Sequence, residues 1–302
     1  MNFTTTLASR ERFTPWPLRA NATPGQRRPL RRTSTKIGVY AVLWLYAAIA
    51  FGPILLVIIG SLRPSADIIQ NPIGLPTRLD LSNYTRAWKS ASLSTYFLNS
   101  VLVTVCSVAL CVSVSLAAAF ILARRHFRGR GVLAAFFAAG LMVPAKLGLL
   151  PIVYMFQANG LIDSLLGLVL LYAASGIPFT LFVLMGFMRG LPYELEDAAR
   201  LDGAHDGRIF VSVIVPLVRP AIAVVTIFQF APTWNDFFYP LVLLRNSNHY
   251  TIPVGLTSFF GQYSTDRGML LAGLIIALLP VVLVFVFASK QIISGMTAGI
   301  GK

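Results

Sequence analysis

Apolar and polar positions along this chain are sorted into long blocks. Segments 37–62, 90–123, 164–188 and 268–289 contain no Asp, Glu, Lys or Arg, and each exceeds the roughly 20 residues that carry a helix across a bilayer. Two further apolar segments fit with a concession: 131–156 is interrupted only by Lys146, and 220–235 is short but extendable on either flank. The pattern therefore predicts an all-α polytopic membrane protein with six transmembrane helices. Between the fourth and fifth spans it turns polar, and five of the chain's eleven acids fall there: Glu194, Glu196, Asp197, Asp202 and Asp206. Helical spacing puts Leu195, Ala198, Ala199 and Asp202 on one face. Gly203 ends that helix. Asp206 is placed to cap a second one, in which Ile209, Phe210, Val213 and Ile214 form an apolar stripe before Pro216 and Pro220 interrupt it. A helix, a glycine turn and a second helix form a unit suited to docking another protein.

Composition agrees with the pattern. Of 302 residues 56% are hydrophobic and 12% charged, and the mean hydropathy is +0.72, more apolar surface than a soluble domain of this size covers. Lys and Arg set the orientation. With both termini inside, eighteen basic residues lie on the inner side, among them Arg124, Arg125, Arg128 and Arg130, against six outside. The acidic connector is then cytoplasmic. The net charge of +14 is dispersed at membrane edges with no basic and aromatic surface, which argues against nucleic acid as a partner. Segment 1–36, with Arg27, Arg28, Arg31 and Arg32 among Pro, Thr and Asn, lacks an apolar period and reads as a disordered cytoplasmic arm, a topology determinant near anionic lipid. The apolar run after it continues past the small residues Ala48-Ile49-Ala50, so an uncleaved first span is preferred to a signal peptide. Cys106 and Cys111, five apart on one helix, face different ways and read as small core residues.

At the connector the chain resembles the inner-membrane permease subunit of bacterial ABC importers. That family's cytoplasmic loop carries Glu-Ala-Ala, a Gly four positions later, and a spaced Ile-x-Leu-Pro. Asp197-Ala198-Ala199, Gly203, Val213, Val215 and Pro216 occupy those places here, with Asp for Glu and Val for Ile and Leu. Leu201-Asp202-Gly203-Ala204, the run Trp234-Asn235-Asp236-Phe237-Phe238-Tyr239-Pro240 and the tail Gly295-Met296-Thr297-Ala298-Gly299 resemble the carbohydrate-uptake, maltose-transporter-like branch. So do Ser61-Leu62-Arg63-Pro64 and Asn83-Tyr84 with Ala87-Trp88 in the outer loop, which either meets a binding protein or caps the helices. The resemblance runs from about Ile37 to the end. It implies a permease domain over 37–293 with its coupling loop at 189–215, a short tail over 294–302, and inward sugar transport by alternating access. The partners it implies are a second homologous permease, an ATP-binding cassette ATPase dimer and an extracytoplasmic solute-binding protein, in the bacterial inner membrane. Glu194, Glu196, Asp197, Ala198, Ala199, Asp202, Gly203 and Ala204 are the expected ATPase-docking residues.

Catalytic chemistry is poorly represented, and the chain does not read as an enzyme. His126, His205 and His249 lie in separate loops without metal-ligand spacing. The one Gly-Lys pair, Gly301-Lys302, has no helix after it to hold phosphate. No cofactor or metal is expected on this chain; ATP and magnesium belong to the partner ATPase. Candidates for the substrate path are Lys146, an ionisable group at membrane depth, and Gln229, Trp234, Asn235 and Asp236 toward the end of the fifth span. Lys146 can instead snorkel to the interface, and an aromatic belt accounts for Trp234 as well. An ion-coupled secondary transporter is the alternative reading, with Lys146 and Asp236 as its titratable groups. A membrane enzyme acting on lipid-linked substrates would need clustered carboxylates or histidines, and the acidic cluster here is spread over helix faces beside alanines.

Overall fold

The computed structural model describes residues 31–298 except 77, 91, 258 and 260–265, and no side chains for 31–37, 90, 145 and 288–298. Every regular element among the described residues is helical. The chain divides at Pro53 into two units. The first comprises the N-terminal portion of α1, Arg31–Ser61, and the second everything after it. Among the described residues helix α1 reaches back into the expected arm as far as Arg31, and no Pro or Gly interrupts it before Gly38. The rest of the arm, residues 1–30, and tail residues 299–302 lie outside the described residues.

Four helices are long and apolar enough to cross a membrane: Gly38–Ser61 within α1, α4 (Leu93–Arg124), α7 (Leu165–Arg189), and Arg267–Phe287 within α14 (Arg267–Ala298), which follows the short α13 (Ile252–Gly255). A fifth candidate is a bent pair, Asp206–Leu217 and α11 (Arg219–Asn235), meeting at 74°. These bounds match the charge-free blocks within a few residues. The predicted span 131–156 is instead divided into α5 (Arg130–Gly140), a 3-10 turn over Ala145–Gly148, and α6 (Leu149–Ala158). Pro144 is the reason: it lacks an N–H for the helical ladder and crowds the residue before it out of helical conformation.

The centre of the second unit is the pairing of α4 with α7. Helix α4, 32 residues and about 48 Å long, buries small residues at Ser100, Thr104, Ser107, Cys111, Ser115 and Ala119. Steps of three or four keep these positions on one stripe, which meets α7 at Thr180. Small side chains let helix backbones approach closely where lipid supplies no hydrophobic drive between them. Cys111 Sγ lies 3.5 Å from Thr180 Oγ1 within this contact. Cys106, on the far side of the same helix, is exposed and is not the core residue its sequence suggested. Helix α11 packs on both central helices and on α14.

Two short helices, α2 (Ser65–Gln70) and α3 (Ser82–Ser90), fold the loop after α1 onto the start of α14. Asn83 is buried and donates to the carbonyls of Ser61 and Arg63, each at 2.9 Å. Asp266 accepts from Ser65 at 2.6 Å and pairs with Arg86. The loop thus caps the helices, which is one of its two expected roles.

Candidate functional site

The acidic connector is held by arginines from a neighbouring helix. It forms α8 (Glu194–Leu201), whose first turn carries Glu194, Glu196 and Asp197 at the end where the helix dipole favours negative charge. Its C-terminus is closed by Gly203 at φ +79, a left-handed conformation natural to glycine. The Ala204 N–H reaches the Ala199 carbonyl at 2.9 Å and the Gly203 N–H reaches Arg200 at 3.0 Å. These are the paired bonds of a Schellman turn. Next comes α9 (Asp206–Ile209), continued by a π turn over Phe210–Ile214 and by α10 (Val215–Leu217). Its cap is not Asp206 as expected. The ring Nδ1 of His205 accepts from the Arg208 N–H at 3.4 Å, and Asp206 is the first helical residue. The stripe is as predicted: Ile209 and Ile214 are fully buried, with Phe210 and Val213 packed against the same cluster.

Glu196 departs from its expected role. Only 1% exposed, its carboxylate pairs with Arg124, with Arg125 at 3.4 Å and with Arg200 at 3.3 Å. It faces the helix ends because positions 196 and 199 lie on the inner side of α8; Ala199 and Ala204 also pack inward. Glu196 is therefore enclosed within this chain, while Ala199 and Ala204 are half-buried. Glu194, Asp197, Ala198, Asp202 and Gly203 remain on the surface. Leu201, 90% exposed, joins them with Tyr193 and Leu195, and sequence reasoning missed it. The signal was available, since Leu201 lies seven positions after Glu194 and three after Ala198, on the same helical face. Arg124, read only as an orienting charge, also proves more specific. Fully buried, it donates to Glu196 and to the carbonyls of Met188 (3.2 Å), Leu191 (2.9 Å) and Pro192 (3.1 Å), with its guanidinium 3.8 Å from the Tyr193 ring centroid.

A second site lies where α7 faces α11. Lys146, Gln229, Asn235 and Asp236 meet around a cleft of about 420 Å³, joined by Tyr172, Ser175 and Tyr239. On α11, Gln229, Pro232, Thr233 and Asp236 follow i, i+3, i+4, i+7 spacing, which aligns them on one face. Gly176 provides room: a Cβ there would collide with the Gln229 side chain, whose amide donates to the Tyr172 carbonyl at 3.1 Å. The Tyr172 hydroxyl donates to Asp236 at 2.7 Å, and Asp236 also accepts from the N–H groups of Phe238 (3.4 Å) and Tyr239 (3.3 Å), starting α12 (Phe238–Leu243). Asp236 is therefore committed to the helix break. Lys146 Nζ sits 5.4 Å from the Phe238 ring centroid and is the basic side chain lining the cleft. The Tyr172 ring was not anticipated, having looked like an ordinary span residue, and Tyr239 was noted only within the carbohydrate-branch motif.

Trp234 does not belong to this group. One position off the cleft face, it is buried against α14, stacked on Phe230 at 5.8 Å and donating its indole N–H to the Ala277 carbonyl at 3.0 Å. Neither an interfacial belt nor a sugar platform describes it. No group of three or more His, Cys, Asp or Glu side chains able to hold a metal occurs among the described residues.

The family described as "binding-protein-dependent transport system inner membrane component" matches residues 112–292. The chain is similar to the diacetylchitobiose uptake system permease protein NgcG of Streptomyces coelicolor, at 34% identity over 86% of this chain and 87% of that protein. It is also similar to the arabinooligosaccharides transport system permease protein AraQ of Bacillus subtilis, at 33% identity over 82% and 89%. Among solved structures, a chain of a bacterial ABC transporter involved in the import of the acidic polysaccharide alginate matches with a TM-score of 0.77 and 25% identity, covering 92% of this chain and 99% of that one.

Proposed function

The chain belongs to the family of binding-protein-dependent transport system inner membrane components, and from that premise we propose that it is the membrane-spanning permease subunit of an ATP-driven importer of sugars or oligosaccharides. The observation that carries this reading is agreement between family and site: a chain of this family presents a rigid helix, α8, with acidic and apolar side chains outward at one end of its central helix pair. Six spans follow if the divided segment of α5 and α6 crosses as one unit with the bent pair. Both termini and α8 then face the cytoplasm, as the excess of Lys and Arg requires.

In this account α8 receives the ATPase. Glu194, Asp197 and Asp202 offer carboxylates to basic groups, Leu201 and Leu195 offer apolar contact, and Ala198 allows close approach. The ATPase pair binds ATP and magnesium, a second permease completes the pathway, and an extracytoplasmic binding protein delivers solute. Lys146, Gln229, Asn235 and Ser175 supply the polar groups, and Tyr172 and Tyr239 the ring faces, that a sugar's hydroxyls and apolar face require. Alternating access exposes this cleft to one side and then the other without any covalent step on this chain. The ion-coupled alternative is disfavoured because Asp236 is tied to Tyr172 and two backbone N–H groups rather than poised to carry a proton.

The test is uptake of labelled diacetylchitobiose and arabinooligosaccharides into proteoliposomes holding the whole complex. Uptake that needs internal ATP and binding protein, and that survives collapse of the ion gradients, supports the proposal. Uptake abolished by an ionophore with ATP still present would instead support the secondary transporter.

A further inference from the structure

Arg124 ties α8 to the closely packed pair of α4 and α7. It ends α4, caps α7 by donating to the Met188 and Leu191 carbonyls, holds the linker at the Pro192 carbonyl, and grips the first turn of α8 through Glu196. Four contacts on one planar, five-donor guanidinium fix its orientation as well as its position. Arg125 and Arg200 extend the grip, sharing Glu196 and reaching Asp206 at 2.6 Å and 3.6 Å. At the end of α7 the Met188 carbonyl, which accepts from the Leu191 N–H at 3.3 Å, gains Arg124 as a second donor. From that end, α7 runs about 20 Å to Tyr172, Ser175 and Gly176 at the cleft.

We propose that Arg124, through Glu196, is the positioning residue that makes α8 move as one body with the cytoplasmic ends of α4 and α7, so that displacement of α8 reaches the cleft as displacement of α7. The inference rests on the importer reading of the chain. Docking alone does not need it, since the outward residues of α8 do not include Arg124 or Glu196. A buried pair with no free surface serves position, not contact. Because the pair is specific to the α4, α7 and α8 junction, losing it frees α8 to move without carrying α7.

The test uses the whole complex with its binding protein in proteoliposomes, comparing wild type with Glu196→Gln and Arg124→Lys. Expected is retained co-purification of the ATPase and retained ATP hydrolysis, with substrate moved per ATP falling roughly tenfold, equivalent to about 1.4 kcal/mol of lost coupling. Arg124→Lys, which keeps the charge but not the fork, should be as uncoupled as Glu196→Gln. Unchanged transport per ATP in either variant, or transport and ATPase recovery falling in parallel, overturns the proposal. Should both variants fail to insert, backbone hydrogen exchange of the wild-type complex decides it. Linker residues 190–193 equally protected in nucleotide-free and ATP-bound states support one-body motion, and exchange that rises there on ATP binding refutes it. If no ATPase accompanies even the wild-type chain, it is the importer reading that fails.

Discussion

Gly203 tests the docking turn through its backbone alone. Its φ of +79 lies in the left-handed region, and a Cβ built there meets nothing within 4 Å. A valine would therefore fit in space but not in conformation. The left-handed form costs an L-residue about 1–2 kcal/mol, with β-branched side chains at the upper end. Relaxing that strain means giving up the Ala204 to Ala199 and Gly203 to Arg200 bonds, each worth roughly 0.5–1.5 kcal/mol. If α8 must hold the turn to dock, about 1–2 kcal/mol is subtracted from docking, a factor of roughly 5–30 in affinity. The assay is titration of the ATPase subunit onto the permease pair in nanodiscs, with Gly203→Val and Gly203→Asn beside wild type. Val should weaken binding by that factor with insertion intact, and Asn, which tolerates left-handed backbone, should lose far less. Wild-type binding by the Val variant would refute the reasoning. Equal loss in both would assign the effect to room on the partner's side.

Other outcomes follow from the same structure. Lys146→Ala and Asn235→Ala should each raise the solute concentration for half-maximal uptake by about 2- to 12-fold, the worth of one hydrogen bond; Trp234→Phe should leave that concentration unchanged while lowering the melting temperature through loss of the bond to Ala277. Wild-type solute dependence in both cleft variants would remove them from the path. Gly176→Ala should push the Gln229 amide off the Tyr172 carbonyl and reduce uptake, and an unaffected rate would show that Gln229 does not act there. Asp163, at φ +57, accepts from Asn246 and Arg245 N–H groups, which with His249 hold its carboxyl below the usual range. A lowered folded value means stabilisation that is present above the ordinary Asp range and lost as pH falls through it. Thermal melts of wild type should therefore show a drop on acidification that is absent in Asp163→Asn; identical profiles would contradict this.

Spans were legible where charge-free blocks were long, because bilayer thickness sets their length, and α1, α4, α7 and α14 follow the pattern closely. The broken segment around Pro144 was not, since apolar character alone does not register a missing N–H. The connector's helix, glycine turn and stripe were readable from spacing. What spacing left open was which side of α8 faced inward: Glu196 carries the same charge as Glu194, and only the position of Arg124, supplied by the α4–α7 pairing, separates the two. Likewise Trp234 and Asn235 are adjacent in sequence, and the packing of α14 sends one to the core and the other to the cleft. Arg124 itself gave no sign beyond charge, because three of its four hydrogen-bond partners are backbone carbonyls that any sequence would provide.

The central claim is that α8 docks an ATPase. The chain, tagged in its native host and extracted in mild detergent, should bring down an ATPase subunit and a second permease, and both should be lost when residues 194–208 are replaced by a neutral linker. Recovery of the chain alone, or of the same partners after the replacement, would contradict the account.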